Sequence, residues 1–330
     1  MLSKASKVLP NFAKGTLTMS STRDGFGKGI VELGTKDKNI VALCADLSES
    51  TRLDDFKKNF PDRFFELGVA EQNMAAIAAG LGLSGKIPFI ASYATFSPGR
   101  NYEQIRTTIA YGKSNVKIIG SHAGVSVGPD GATHQATEDI AIMRVMPGIT
   151  VVVPADAEEA RKATLALGSL KGPAYLRLTR EKSPVFTSES SPFKIGHAEI
   201  IWEGESPSVA LVACGPVVFE ALLAAKDLEK EGISVIVVNC HTIKPLDEVT
   251  LLKVFKKCGA LVTIEEHQRA GGLGGALAEL TARFYPIPIE SLGLPDRFGE
   301  SGPPSDLLAL FGLSSPHIIS ATHSVLKRKK

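Results

Sequence analysis

The chain has 330 residues, 44% apolar and 22% charged, an ordinary composition for a soluble globular protein, and at about 150 residues per domain its length predicts two domains. Lys plus Arg total 37 against 35 Asp plus Glu, and a net charge of +2 argues against a dedicated nucleic-acid or membrane surface. No apolar run approaches the ~20 residues of a membrane span. The four cysteines (Cys44, Cys214, Cys240, Cys258) form no CxxC pair, so reduced thiols and a cytoplasmic location are expected.

The opening "MLSKASKVLPNFAKGTLTMSSTR" carries Lys4, Lys7, Lys14 and Arg23 without an acid. Its single Arg and Pro10 fit a targeting peptide poorly, and an N-terminal arm over residues 1–17 is expected. Over residues 18–182 strand-like and helix-like runs then alternate. The strands are "IVALCAD" (40–46), "PFIASY" (88–93), "VKIIGSH" (116–122), "TVVVPAD" (150–156) and "AYLRLTR" (174–180). The helices are "RDGFGKGIVELGTK", "AEQNMAAIAAGLGLSG", "NYEQIRTTIAYGK", "TEDIAIMRVM" and "DAEEARKATLALGSL", the last with Asp156 at its N-cap and acids in its first turn. This alternation predicts an α/β fold with a mainly parallel sheet.

The Ser- and Pro-rich stretch "EKSPVFTSESSPFK" (181–194) reads as an interdomain linker, placed at 183–194. A second α/β domain over 195–330 comes after it, with strands "SVALVACG", "SVIVVNC" and "ALVTIEE" and the helix "PVVFEALLAAKDLEKEG". "GGLGG" (271–275) lacks the GxGxxG frame and a following Lys-Ser/Thr. It reads as a tight turn into the helix "ALAELTARF".

Open parallel sheets bind ligands beyond the carboxyl ends of their strands. That edge of the first domain collects Asp46, Ser48, Ser50, Phe96, His122, a Gly-rich loop with Asp130 and His134, and Arg180. Taken singly, most have a structural reading. His122 could be a satisfied strand-end histidine, Asp130 a turn residue in Pro-Asp-Gly, and Arg180 half of a surface ion pair. Glu71 is harder to dismiss. A helix N-terminus favours an acid, but Leu67, Val69, Met74 and Ile77 surround this one, and a carboxylate in such a setting needs a hydrogen-bond donor. No cation lies close in sequence, so a ligand is the expected partner.

With these residues in place, the sequence resembles the transketolase family over about residues 18–325. "GVAEQNM" is similar to the segment carrying the family's cofactor glutamate, "SHAGVSVGPDGATHQ" to its long loop after a central strand, and "DRFGESG" (296–302) to its C-terminal turn. The resemblance implies a pyrimidine-binding domain followed by a transketolase C-terminal domain, and thiamine diphosphate as cofactor. Glu71 would bond N1′ of the aminopyrimidine and assist in moving protons on it. Phe96 and Tyr102 would flank that ring, with Asp46 near it. Gly99 stands where the family has a further aromatic, so one wall of the pocket differs. Arg23, Ser50, His122 and Arg180 would hold the sugar phosphate. Asp130 and His134 would bond sugar hydroxyls, and His134 and His122 join Glu71 as candidate catalytic groups.

The family's Gly-Asp-Gly motif for the diphosphate and its metal does not occur in this chain. The expectation is therefore a split enzyme. This chain would hold no metal itself; a separate N-terminal subunit would bring the diphosphate site with Mg²⁺ or Ca²⁺, in an α2β2 assembly moving a two-carbon ketol unit between sugar phosphates of the pentose phosphate pathway. Two relatives share parts of the pattern. 1-Deoxyxylulose-5-phosphate synthases share "AEQ", but their aromatic follows the Phe by five residues, whereas Tyr102 follows Phe96 by six. Beta subunits of 2-oxo-acid dehydrogenases are of similar length but lack the paired histidines. A non-catalytic, transketolase-like interaction protein would predict no cofactor binding even with a partner.

Overall fold

The computed structural model describes residues 1–329 and contains two parallel-rich sheets. In chain order, β1 (Met19–Ser20), α1 (Thr22–Lys36), β2 (Ile40–Cys44), α2 (Asp54–Asn59), β3 (Phe64–Glu66), α3 (Glu71–Leu83) and β4 (Ile87–Tyr93) come first. A short α4 (Tyr102–Gln104) continues into a π-helical segment, Ile105–Tyr111. Next come β5 (Lys117–Ser121), α5 (Asp139–Arg144), β6 (Thr150–Val152), α6 (Ala157–Ser169), β7 (Ala174–Arg177) and β8 (Ser183–Pro184). The second half has β9 (Glu199–Glu203), β10 (Val209–Ala213), α7 (Val218–Lys230), β11 (Val235–Asn239), β12 (Thr242–Lys244), α8 (Glu248–Cys258), β13 (Leu261–Gln268), α9 (Leu273–Phe284), β14 (Ile289–Leu294), α10 (Pro304–Leu310) and α11 (Ser315–Lys327).

The first sheet has seven strands in the order β12-β6-β7-β5-β4-β2-β3, all parallel except β12. Residues in β2, β5 and β7 are buried throughout, as continuous apolar strands covered on both faces should be. One face carries α1 and α6, whose Phe26, Ile30, Ala160, Ala163 and Leu167 pack with Ile40, Phe89 and Leu176 of the sheet. The other face opens onto a core that both halves share: Met74, Ala78, Ile90 and Ile118 lie in one cluster with Val212, Ile236, Leu251 and Leu277. The second sheet has the order β14-β13-β10-β11-β9, with only β9 antiparallel.

Two crossings tie the halves together. β12, from the second half, pairs antiparallel with β6 and completes the first sheet (Thr242 opposite Val152). In return the arm before β1 packs on the second half: Leu2 bridges to Trp202, and Val8 and Phe12 join the cluster of Trp202, Leu211 and Val237. The connecting segment is pinned as well. Phe186 is fully buried, and Asp156, the N-cap of α6, accepts from Phe186 N (2.9 Å), Thr187 N (2.7 Å) and Thr187 Oγ1 (2.8 Å).

Of "GGLGG", only Gly271 (φ +79°) and Gly272 form the turn, Gly272 as N-cap; the expected turn over 271–275 is shorter because α9 already starts at Leu273. The buried Glu265 carboxylate accepts from Leu273 N (2.7 Å) and Gly274 N (2.8 Å), so the chain itself satisfies this helix N-terminus. All four cysteines are buried and free. Among the described residues no helix is long and apolar enough to cross a membrane.

Candidate active site

The carboxyl ends of β2, β4, β5 and β7 bring most of the expected residues to one edge. Ser21 caps α1 in a reciprocal box with Asp24, which fixes the first turn that carries Arg23. Arg23 Nη1 donates to Ser50 O at 2.8 Å and lies 3.5 Å from His122 Nε2. His122 is 1% exposed and stands in the left-handed region (φ +56°), which His tolerates better than most non-glycine residues. Its Nδ1 meets Ser121 Oγ at 2.9 Å, and its ring stacks on Tyr93 at 3.8 Å between centroids, 21° from parallel.

Tyr93 is the hub of the cluster. Its hydroxyl donates to Ser50 Oγ at 3.1 Å, its ring stacks on Phe96 at 5.8 Å, and it meets the edge of His134 at 6.1 Å. Phe96 and His134 are in edge contact at 5.6 Å, and His134 Nδ1 lies 2.9 Å from Thr133 Oγ1. Sequence reasoning misses Tyr93, because it is the last residue of β4 and not part of the loop beyond the strand, where ligand-binding residues are sought. An aromatic at the final position of a buried strand is the signal that could have found it.

Burial, then the positive charges of Arg23, Arg180 and Arg52, pushes the His122 pKa down to about 3. A ring shifted this far is neutral near pH 7. Arg23 Nη1 can only donate, so its contact makes Nε2 the acceptor and leaves Nδ1–H to donate to Ser121 Oγ.

Arg180 and Asp130 meet as well. Arg180 Nη1 donates to Val127 O at 2.8 Å and lies 3.5 Å from Asp130 Oδ1, with Glu181 3.8 Å from its Nε. The loop between His122 and His134 is braced from the second half. Glu266 accepts from Ser126 N, and Gln135 Nε2 donates to Glu300 O at 2.9 Å, within the "DRFGESG" turn. Below the loop lies a buried ion pair, Arg177 Nε to Asp139 Oδ2 at 2.8 Å, joined by Tyr175 Oη at 2.6 Å. Arg177 Nη2 also donates to Glu266 O at 2.8 Å, across the interdomain boundary.

Glu71 is the first residue of α3 and is 1% exposed. The expectation that the chain supplies it no partner is wrong. Arg100, distant in sequence, donates from Nη1 to Oε2 at 2.7 Å, and its guanidinium lies 4.6 Å over the Phe96 ring. The other carboxylate oxygen, Oε1, is buried and has no hydrogen-bond partner. Gly99, beside Arg100, cannot carry the family's further aromatic in this loop, because a Cβ there would sit 2.1 Å from Thr95 O.

Two expected residues stand apart. Tyr102 packs against the shared core. Asp46 is exposed at the end of β2, with φ +59°, its backbone N–H donating to Glu66 Oε1 at 2.7 Å.

Comparison with known proteins agrees with this geometry. Residues 18–185 match the family described as Transketolase, pyrimidine binding domain, and residues 196–318 match Transketolase, C-terminal domain. A putative transketolase C-terminal section from Methanocaldococcus jannaschii is 42% identical over 93% of this chain and 96% of its own length. A 6-deoxy-6-sulfo-D-fructose transketolase subunit from Clostridium sp. (strain MSTE9) is 40% identical over 93% of this chain and 95% of its own. A solved structure described as a split gene transketolase, inactive beta4 tetramer, superposes with a TM-score of 0.88 at 44% identity, covering 94% of this chain and 99% of that one. With both domain matches in order along one α/β chain and relatives of this identity and coverage, the chain belongs to the transketolase family, among the C-terminal subunits of split transketolases.

Proposed function

We propose that this chain works with a separate N-terminal subunit to transfer a two-carbon ketol unit from a ketose phosphate to an aldose phosphate, using thiamine diphosphate. The observation that carries the reading is Glu71. It is a buried carboxylate with one oxygen lacking any partner, at a helix start and bridged by Arg100 to the Phe96 ring. That donor set fits an aminopyrimidine, whose ring nitrogen can bond Oε1 while its face meets Phe96. When bound, thiamine diphosphate supplies the electron sink for breaking the carbon–carbon bond.

In this reading Glu71 holds the proton shared with N1′ of the pyrimidine, and so sets the protonation of that ring. Phe96 covers the face of the ring, and Tyr102 and Asp46, which stand apart from the cluster in this structure, are assigned to the ring by family resemblance alone. Arg23, Ser50, His122 and Arg180 receive the sugar phosphate, the arginines with charge-assisted bonds. Asp130 and His134 bond sugar hydroxyls, and His134 and His122 are the candidate proton-transfer groups of this reading. The partner subunit would bring the diphosphate contacts and Mg²⁺ or Ca²⁺, in an α2β2 assembly. The names of the relatives as sections and subunits support a second chain. Buried free thiols support a reducing, cytoplasmic setting.

The test is co-expression with the candidate N-terminal subunit and assay with thiamine diphosphate and Mg²⁺, across ketose phosphates and 6-deoxy-6-sulfo-D-fructose. Ketol transfer is expected only from the complex; full turnover by the single chain would overturn the reading. Glu71→Gln should leave assembly intact and slow C2–H exchange of the cofactor by about 100-fold or more. Near-normal exchange removes Glu71 from its assigned role.

A further inference from the structure

Arg100 holds the Phe96 face assigned above to the pyrimidine ring, and the Glu71 oxygen beside the one assigned to its nitrogen. Its guanidinium is planar and cationic, donates to Glu71 Oε2 at 2.7 Å, and lies 4.6 Å over the Phe96 ring. A protonated aminopyrimidine offers the same features: a flat face, a delocalised charge and an N–H aimed at a carboxylate.

The loop that carries Arg100 is fixed, whereas its side chain is not enclosed. Arg100 N donates to Phe96 O at 2.8 Å. Asn101 Nδ2 donates to both Glu71 O and Ser97 Oγ at 3.1 Å, clamping the loop to the start of α3. Gly99 leaves no room for a side chain on the preceding residue. The Arg100 side chain itself is 46% exposed, against 1% for Glu71. One partner is rooted in the core and the other can swing into solvent.

We infer that Arg100 is a place-holder for the cofactor ring. It neutralises the buried Glu71 carboxylate and covers Phe96 while the site is empty, and thiamine diphosphate must expel it to bind. The inference rests on the thiamine reading of the site. Its physical basis is that an uncompensated buried carboxylate is strongly destabilising, so a chain made separately from its diphosphate-binding partner needs an internal cation there. The consequence is a reduced apparent affinity, because only the fraction of molecules with Arg100 displaced can accept the ring.

The test uses the complex with the N-terminal subunit and calorimetric titration of thiamine diphosphate with Mg²⁺. Arg100→Met keeps the aliphatic stem and removes the charge and donors. It should tighten binding by about 3- to 10-fold, as expected when a competitor with an occupancy of about 70–90% is removed. Arg100→Lys, a cation without the planar fork, should fall between the two. The cofactor-free Arg100→Met complex should also melt below wild type, with the gap closing at saturating cofactor. If wild type binds and Arg100→Met binds equally or more weakly, the place-holder is overturned while the thiamine reading stands. If neither binds, the thiamine reading falls and the inference with it.

Discussion

Asp139→Asn probes the ion pair that seats the active-site loop. Asp139 and Arg177 are 1% and 2% exposed at their side chains, and Asp139 accepts from both Arg177 Nε and Tyr175 Oη. Burial alone would raise the Asp139 pKa, but the Arg177 charge, then His267 and the two hydrogen bonds, outweighs it and holds the carboxyl below the usual range. The substitution removes the counter-charge and leaves the buried Arg177 guanidinium with neutral acceptors only, the asparagine carbonyl, Ala136 O and Glu266 O. Breaking such a pair from one side costs about 3–5 kcal/mol, or a fall in melting temperature of about 4–7 °C for a cooperative unit of the whole chain. Denaturant unfolding of the single chain measures it. The pair between Arg161 and Glu32 serves as the control, because its partners are 18% and 38% exposed and Glu32→Gln should cost about 0–1 kcal/mol. The pH dependence comes from the depressed pKa. The contribution of Asp139 is complete above the unfolded carboxyl pKa, near about 4, and is lost as pH falls through the folded one, so wild type and variant should converge in acid. Replacing both partners, Asp139→Leu with Arg177→Met, should recover part of the loss by leaving no uncompensated charge. A single variant within about 1 kcal/mol of wild type would refute the reasoning, because it would mean the buried guanidinium needs no counter-ion.

Two further predictions concern the phosphate end of the site. Arg180→Ala should raise KM for phosphorylated donors by about 10- to 100-fold, the worth of a charge-assisted bond, and leave unphosphorylated donors nearly unchanged; equal effects on both would point to its bonds with Val127 and Asp130 as the whole of its role. The ring signals of His122 in a carbon–proton correlation spectrum should stay those of a neutral imidazole from about pH 9 down to about 5, given a pKa of about 3; a midpoint above about pH 5 would show that burial and the surrounding arginines do not govern it.

The core strands were legible because each is a continuous apolar run, and β2, β4, β5, β7, β10, β11 and β13 fall where such runs were expected. The edge strands were not. β3 is three residues long with Phe65 and Glu66 exposed, and β9, β12 and β14 mix polar with apolar residues because they are less completely covered. The polar edge of the first sheet was legible from its strand ends and from the His-Asp-His loop. The partner of Glu71 was not, because Arg100 reaches it through a turn that only the folded loop defines, and sequence proximity carries no trace of that contact. The charge state of His122 was hidden for a related reason. It depends first on burial and then on Arg23, Arg180 and Arg52, which come from three separate parts of the chain.

The crossing of β12 into the first sheet has a consequence for dissection. The border between the two family matches falls between residues 185 and 196, and a fragment ending there would look like a whole domain. It would lack the strand that covers β6, leaving Val151 and Val153 on an open sheet edge of the kind that templates aggregation. The complementary fragment would lose the arm residues Val8 and Phe12 from its own core. The two modules are inherited side by side, yet each is finished by a piece of the other, so the unit that unfolds cooperatively is the interlocked pair.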